Sequence, residues 1–543
     1  MLSHSSQADN TKYKSMVIIS LVYLLSQGFL LILTGTWWDD KTWFFGSQEK
    51  MWDIALQLGK PTTYFILSFV KEMPEFCARI FIFVLFYCCA LGTFIIYRQL
   101  PFVNNKDAVL MALLYAAIPA NDARALLSIV PYSLGFFFFI MGFCLLIVLQ
   151  NKYYYKKFLL RIVVLLTFTC SFILNSNLVF FAIPLMYIFV YLIKNKKISE
   201  WYKFLDFTFI PFIYFGIKNI CFPAYGSYEG YNAVNSEGII SSISGSILEC
   251  VNVLKEIAFL WGRYILIGAI FGGVALFVFS RKKKGLEALN NLAEANGKNK
   301  YSMPISGRVI LMAIGFAVMY LAVFPYKVIG QNQILVGVEG RSSVLIGLGA
   351  AIILYAFISW IPYEYLRIFI CSVLIICGIC HFNRFYLIYQ QDYYRQMDLI
   401  YELKENYNTL SDKKNVLYLT DYEPEILATR FYSLNSNAME AFGDQSHFIM
   451  NGAGDLLYLE NTDLLHEFVY MGDFQMKDYE IGKSDEAEAI IYYHDGIGIK
   501  DTFYLKLLEL INYEKFESIL FEQKNLDVYV AGDKQYMEIY SNL

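Results

Sequence analysis

The sequence predicts a polytopic α-helical membrane protein of about 11 transmembrane helices with a small C-terminal α/β extracytoplasmic domain, and three observations carry that expectation. Of 543 residues, 57% are hydrophobic and only 17% charged, against about 25% charged in an ordinary soluble domain. Eleven apolar stretches recur before residue 390, and a helix needs ~20 such residues to cross a bilayer core. The charge balance changes sign at one cut. Residues 391–543 hold 12 Lys+Arg against 29 Asp+Glu, net −17, whereas residues 1–390 hold 32 against 19, net +13.

Every backbone polar group in a bilayer must be satisfied within its own segment, so the stretches are read as helices. They fall near residues 15–35, 76–97, 107–120, 126–149, 158–174, 178–193, 204–217, 257–280, 307–326, 342–361 and 367–389. The third and seventh are short and carry Pro119 and Pro211. With a cytoplasmic N-terminus, the inner loops take Lys12, Lys14, Arg98, Lys106, Lys152, Lys156, Lys157, the Lys194–Lys197 cluster, Lys203 and the Arg281–Lys284 run. Of the first 390 residues' Lys+Arg, 20 then lie inside and 12 outside, which is the positive-inside asymmetry. An odd number of crossings places the C-terminal domain outside, on the side of the first loop. The first apolar segment has no small-residue cleavage site and runs into Gly35-Thr36-Trp37-Trp38-Asp39-Asp40. It reads as an uncleaved first helix of a cell-membrane protein.

The organisation is a transmembrane domain over 1–390, with long outer loops at 36–75 and 218–256, followed by the acidic domain over 391–543. The inner loop 281–306 is Lys-, Asn- and Gly-rich and reads as a hinge. In the first outer loop Met51, Ile54, Ala55 and Leu58 repeat at i, i+3, i+4, i+7, so an amphipathic helix is expected there, stopped by Pro61. After residue 390 an amphipathic continuation to about Asn408 leads to a strand at Val416–Leu419, a helical stretch from Pro424, strands at Ala489–Tyr493 and Val528–Ala531, and a helix from about Phe503 to Leu510.

Asp39-Asp40 is the most informative feature. The pair lies just beyond the first helix, between Trp37-Trp38 and Lys41-Thr42-Trp43. Carboxylates at the outer surface stay ionised and reach a lipid headgroup, and adjacent ones repel, raising one pKa and leaving the other the better base. The flanking rings of Trp38 and Trp43 offer apolar faces to a sugar; they equally suit interfacial anchoring.

A first helix, acidic residues and an interfacial helix in the first outer loop, many further helices and an external C-terminal domain together resemble the GT-C superfamily of membrane glycosyltransferases, most of all its bacterial GtrII-like and mannosyltransferase-like lipid-linked sugar transferases. The likeness covers the whole chain in architecture and residues 35–60 in motif. It implies transfer of a sugar from a polyprenyl-phosphate carrier to a glycan, lipid or protein acceptor of the cell envelope. The family's acceptor-activating base corresponds to Asp39 or Asp40, with Asp40 placed first, and its second acidic group to Asp122 in Ala120-Asn121-Asp122-Ala123-Arg124.

A departing polyprenyl phosphate needs cationic donors. Arg263 is expected about two turns inside the eighth span, where an arginine is a functional candidate by default. Arg341 opens the tenth span beside Glu339, and Arg124, Lys218 and Lys41 are further loop cations. In the second long loop, Tyr225 and Tyr228 among Gly226 and Gly230 suit an acceptor lid.

Other signals point nowhere. Cys377-Gly378-Ile379-Cys380-His381 matches a haem-attachment spacing but sits in a continuous apolar helix. Cys221 and Cys250 share an outer loop and are a candidate disulfide. Metal-ligand and phosphate-loop motifs are lacking, so a divalent cation at Asp39-Asp40 is left open, and the acidic tail excludes nucleic acid as a partner. The rival functions are a glycan polymerase or lipid-linked glycan transporter, and a non-enzymatic envelope scaffold.

Overall fold

The computed structural model describes the chain except residues 1, 46–47, 151–156, 231–235, 283–302, 414, 421–430, 444–447, 452–486, 495, 523 and 541–543. Most of the expected hinge and the start of the helix expected from Pro424 lie outside the described residues. Seven described helices are long and apolar enough to cross a membrane, or eight if one bent pair is a single span. The protein is a helical membrane protein.

Helix α1 (Leu2–Gln27) ends in a tight turn over Gly28–Leu31. The first loop then folds into α2 (Asp39–Phe45), α3 (Gln48–Gln57) and α4 (Pro61–Lys71). As its periodicity predicts, α3 buries Met51 and Ala55, here against Trp43 and Leu67. Pro61 does more than stop it: at the first position of α4, where no N–H is needed, it starts the next helix. The bundle continues with α5 (Glu75–Tyr97), α6 (Asn105–Ala117), α7 (Val130–Gln150), α8 (Lys157–Ser171), α9 (Asn177–Phe180), α10 (Ala182–Lys194), α11 (Leu205–Cys221), α12 (Ser236–Gly262), α13 (Ile265–Lys282), α14 (Ile305–Val328), α15 (Ile346–Ile358) and α16 (Glu364–Glu405).

Three expectations change. Residues 257–280 are not one continuous helix, because α12 and α13 meet at 66° around Arg263-Tyr264. Much of the loop expected over 218–256 is helix: in α12, Ser242, Ser246, Cys250, Val253, Ile257 and Leu260 are buried at three- to four-residue spacing while Ile239, Ile243, Ile247 and Leu248 are exposed. The serines on its inner face broke up the apolar run that a span is read from. Cys221 and Cys250 are both free thiols.

Helix α16, with 42 residues, leaves the bundle and forms one wall of the C-terminal sheet. Beyond it come α17 (Tyr407–Leu410), β1 (Asn415–Thr420), α18 (Phe431–Phe442), β2 (Phe448–Asn451), β3 (Ala489–Tyr493), α19 (Ile499–Ile511), α20 (Tyr513–Leu520), β4 (Leu526–Val530) and α21 (Lys534–Tyr540). The strand order is β2-β1-β3-β4, with β1 parallel to β2 and β3, and β4 antiparallel to β3 in the register Ile491↔Val528. Leu399 and Leu403 of α16 and Leu434 and Ala438 of α18 cover Val416, Ile449, Ala489 and Ile491. Lower down, Gly378 of α16 passes so close to the end of α6 that a Cβ would run into the Ala117 carbonyl, and that approach sets the height of His381.

Candidate functional site

The chain leaving the first span is fastened before it reaches the acidic pair. Gly35 donates its N–H to Glu75 Oε1 at 2.8 Å, and its carbonyl accepts from Arg79 Nη2 at 2.5 Å. The same guanidinium lies 5.0 Å from the ring centre of Trp37, which is fully buried. Trp38 follows with φ of +48°, a left-handed conformation unusual for a bulky residue, and α2 begins at once. The two carboxylates then part.

Asp40 is fully buried. Its Oδ2 accepts from Leu127 N at 3.0 Å and Trp37 N at 3.4 Å, and its Oδ1 from Ser128 N at 2.7 Å. Burial pushes this carboxyl above the usual range, opposed by Arg79 and by the Ser128 and Leu127 amides. Asp40 thus ties the first loop to the start of α7. Asp39 stays 32% exposed and pairs with Arg341, Oδ2 to Nη1 at 3.1 Å. The Arg341 guanidinium lies 4.3 Å from the ring centre of Trp38 and 3.8 Å from Glu339. Arg341 sits in the turn Val338–Ser343 that precedes α15.

Two lysines enlarge this positive face. Lys60 stands within Coulombic reach of both Arg341 and Lys218. Burial, aided by the Arg341 charge, pushes Lys60 down to about 8. Lys218 donates to Asn175 Oδ1 at 2.9 Å. Over this face runs the 222–230 loop, whose Tyr225 N–H donates to Gln57 O at 3.1 Å. Gly226 is left-handed and abuts the Gln57 side chain. Tyr225 is exposed and Tyr228 half-buried.

A second polar centre lies deeper. Asp122 is fully buried and pairs with His381 Nε2 at 3.1 Å. Its turn, Asp122–Ala125, follows Asn121 in the left-handed region and is joined to the Arg341 turn by a 2.7 Å bond from Asn121 N to Ser343 Oγ. Arg124 lies 4.9 and 4.8 Å from the ring centres of Phe86 and Phe382 and donates to the Ala120 and Asn121 carbonyls.

The remaining sequence candidates lie elsewhere. Trp43 belongs to the small core of the first loop. Lys41 is buried, within Coulombic reach of Glu440, Asp392, Asp40 and Glu75. Arg263 is exposed at the α12–α13 break, 4.8 Å from the ring centre of Phe259, rather than within a continuous helix. Sequence reasoning missed Lys60 and His381. The first is hidden between Gly59 and Pro61, whereas the second carried a usable signal as an ionisable side chain in an apolar helix.

Among the described residues no three His, Cys, Asp or Glu side chains group as metal ligands. The acidic pair does not suit a cation, since its carboxylates diverge and each already meets donors. No family model, curated protein or solved structure matches this chain.

Proposed function

We propose that the protein is a membrane glycosyltransferase that moves a sugar from a polyprenyl-phosphate carrier to an acceptor hydroxyl of the cell envelope, at the extracytoplasmic face. The observation that carries this reading is the part-exposed Asp39 carboxylate within a face lined by Arg341, Lys60 and Lys218. An acid beside clustered cations is what a transfer from a phosphate leaving group requires.

In this mechanism the donor phosphate draws the Arg341 guanidinium off Asp39, with Lys60 and Lys218 adding donors. The freed Asp39 carboxylate takes the proton of the acceptor hydroxyl. The acceptor oxygen bonds to the anomeric carbon as the carbon–phosphate oxygen bond breaks, and the polyprenyl phosphate leaves onto the three cations. Electrostatic stabilisation of that developing charge supplies most of the rate. Tyr225 and Tyr228 face the acceptor side from the overlying loop, and the C-terminal sheet recognises the acceptor.

The finer topology belongs to the same proposal. Eleven crossings, counting the short helices α6, α8 and α15 and taking the bent pair α12–α13 as one span, put the sheet outside when the N-terminus is in the cytoplasm, the arrangement that the Lys+Arg distribution favours. The test uses the full chain in proteoliposomes with a radiolabelled polyprenyl-phosphate sugar. Label leaving the carrier for an acceptor supports transfer; label that crosses the bilayer still on its lipid points to a transporter instead. Asp39→Asn that transfers at the native rate would overturn the assignment of the base.

A further inference from the structure

Helix α19 buries Thr502, Leu505 and Lys506 on one side. The opposite side carries Phe503, Tyr504, Leu507, Leu510 and Ile511, all exposed, Ile511 at 74% and Phe503 at 58%. Tyr513, just beyond, is exposed too. The bared side chains amount to an apolar patch on the order of 500 Å², at the upper end of what a monomeric soluble protein presents to water. The neighbouring helix behaves differently: α20 exposes Glu514, Lys515, Glu517 and Ser518. The patch is therefore specific to one face of one helix.

Its height is fixed by polar contacts from the opposite side of the same helix. Lys506 Nζ lies 3.0 Å from Thr34 Oγ1, and Thr34 Oγ1 lies 3.1 Å from Glu509 Oε1. Glu509 also accepts from Tyr394 of α16 at 2.6 Å. Thr34 comes three residues after Leu31, the last residue of the first span. Around this level the bundle turns apolar side chains outward, as at Ile32 and Phe76, and Glu75, next to Phe76, holds the Gly35 amide. A helix pinned here by one face stands at the level where the spans end.

We propose that the Phe503–Ile511 face of α19 is seated in the lipid of the leaflet on the Asp39 side of the bundle, making the C-terminal sheet a peripheral attachment to the bilayer as well as an extension of α16. An in-plane amphipathic helix buries such a face at the headgroup–acyl boundary. Lys500, exposed at the N-terminal end of the same face, and Tyr504 and Tyr513 are the residue types that sit at that boundary. A second copy of the chain is the competing occupant; the patch's level with the lipid-facing residues of α5 favours the bilayer. This inference needs membrane embedding alone and stands apart from sugar transfer.

The test is lipid photolabelling of the full chain in nanodiscs of phosphatidylethanolamine and phosphatidylglycerol doped with a lipid bearing a diazirine near its glycerol. After irradiation, mass spectrometry locates the adducts. Adducts on 503–511, with 514–520 clean and the Phe76 peptide labelled as control, are expected. Leu507→Glu combined with Ile511→Glu should lower α19 labelling at least tenfold and leave Phe76 labelling unchanged. A labelled Phe76 peptide with 503–511 clean in the unmutated protein overturns the proposal. So does a dimer by mass photometry whose copies cross-link through Lys500 in place of lipid adducts. The unmutated protein alone decides the matter if the double variant fails to insert.

Discussion

Asp39 Oδ2 and Arg341 Nη1 lie 3.1 Å apart although 302 positions separate the two residues in sequence. The pair closes the first loop onto the turn before α15. Both side chains remain part-exposed, so either can exchange its partner for a ligand. That makes the pair a different object from a structural salt bridge: its proposed job is to come apart when an anion arrives.

Asp39→Asn should lower sugar transfer about 10²- to 10⁴-fold, the range general-base catalysis contributes, with insertion and melting temperature unchanged. Transfer assays beside thermal unfolding in detergent check this. Arg341→Met should lower kcat as well as raise the donor KM, since the guanidinium both holds the phosphate and takes up its developing charge.

Asp40→Ala should instead act on stability. It leaves the buried amide of Leu127 and the part-buried amide of Ser128 without an acceptor, at about 1–3 kcal/mol for the buried group and less for the other. A fall in melting temperature with residual transfer per folded molecule is the expected outcome.

Lys60 gives a pH signature. Its charge, held by a group pushed down to about 8, is present below that pH and lost as pH rises through it. Donor affinity should weaken above pH 8, and Lys60→Arg should keep affinity flat to higher pH. The stability sign is the reverse. The unfolded chain binds the Lys60 proton up to about pH 10.4, so this group's contribution favours the folded state increasingly between pH 8 and that value. Donor titrations and melting curves across pH 7–10 read the two effects separately.

His381→Ala should leave the fully buried Asp122 side chain without the imidazole that it pairs with at 3.1 Å. A buried polar group stripped of its partner costs about 1–3 kcal/mol, whereas replacing both residues together costs less. Melting temperatures of His381→Ala, Asp122→Asn and the double variant measure the coupling.

Glu509→Gln should weaken the hold of α19 on Thr34 and remove the counter-charge, 2.8 Å away, from the buried Lys506. Faster protease cleavage between α16 and α19, with the bundle core intact, is expected; Lys506→Met should restore resistance in part.

The spans were legible because lipid leaves so few solutions: Glu75–Tyr97 and Ile305–Val328 fall within two residues of their expected limits. The helix α12 was not, since its inward stripe of Ser242, Ser246 and Glu249 answers to neighbours rather than to lipid, Glu249 accepting from Gln333 N at 2.8 Å. The short strand β2 lay unrecognised for the related reason that four residues hold too little pattern. At the site, the sequence pointed to Asp39, Trp38 and Arg341 as separate candidates, and the fold places them in contact. It could not divide Asp39 from Asp40, because the φ of Trp38 and the amides of Leu127 and Ser128 decide which one is buried. Lys60 was invisible for want of any local pattern; its meaning comes from Arg341 and Lys218.

At 1.5 Å per residue, the 42 residues of α16 form a rod of about 63 Å. Angular phase along a rod is strict: one inserted residue between His381 and Gln390 would turn everything beyond it by about 100°. His381 would still face Asp122, while Gln390, which receives the Thr34 amide at 3.0 Å, would swing away. Length in this stretch is therefore a frozen quantity, and substitutions should be tolerated there far more readily than a single addition or deletion.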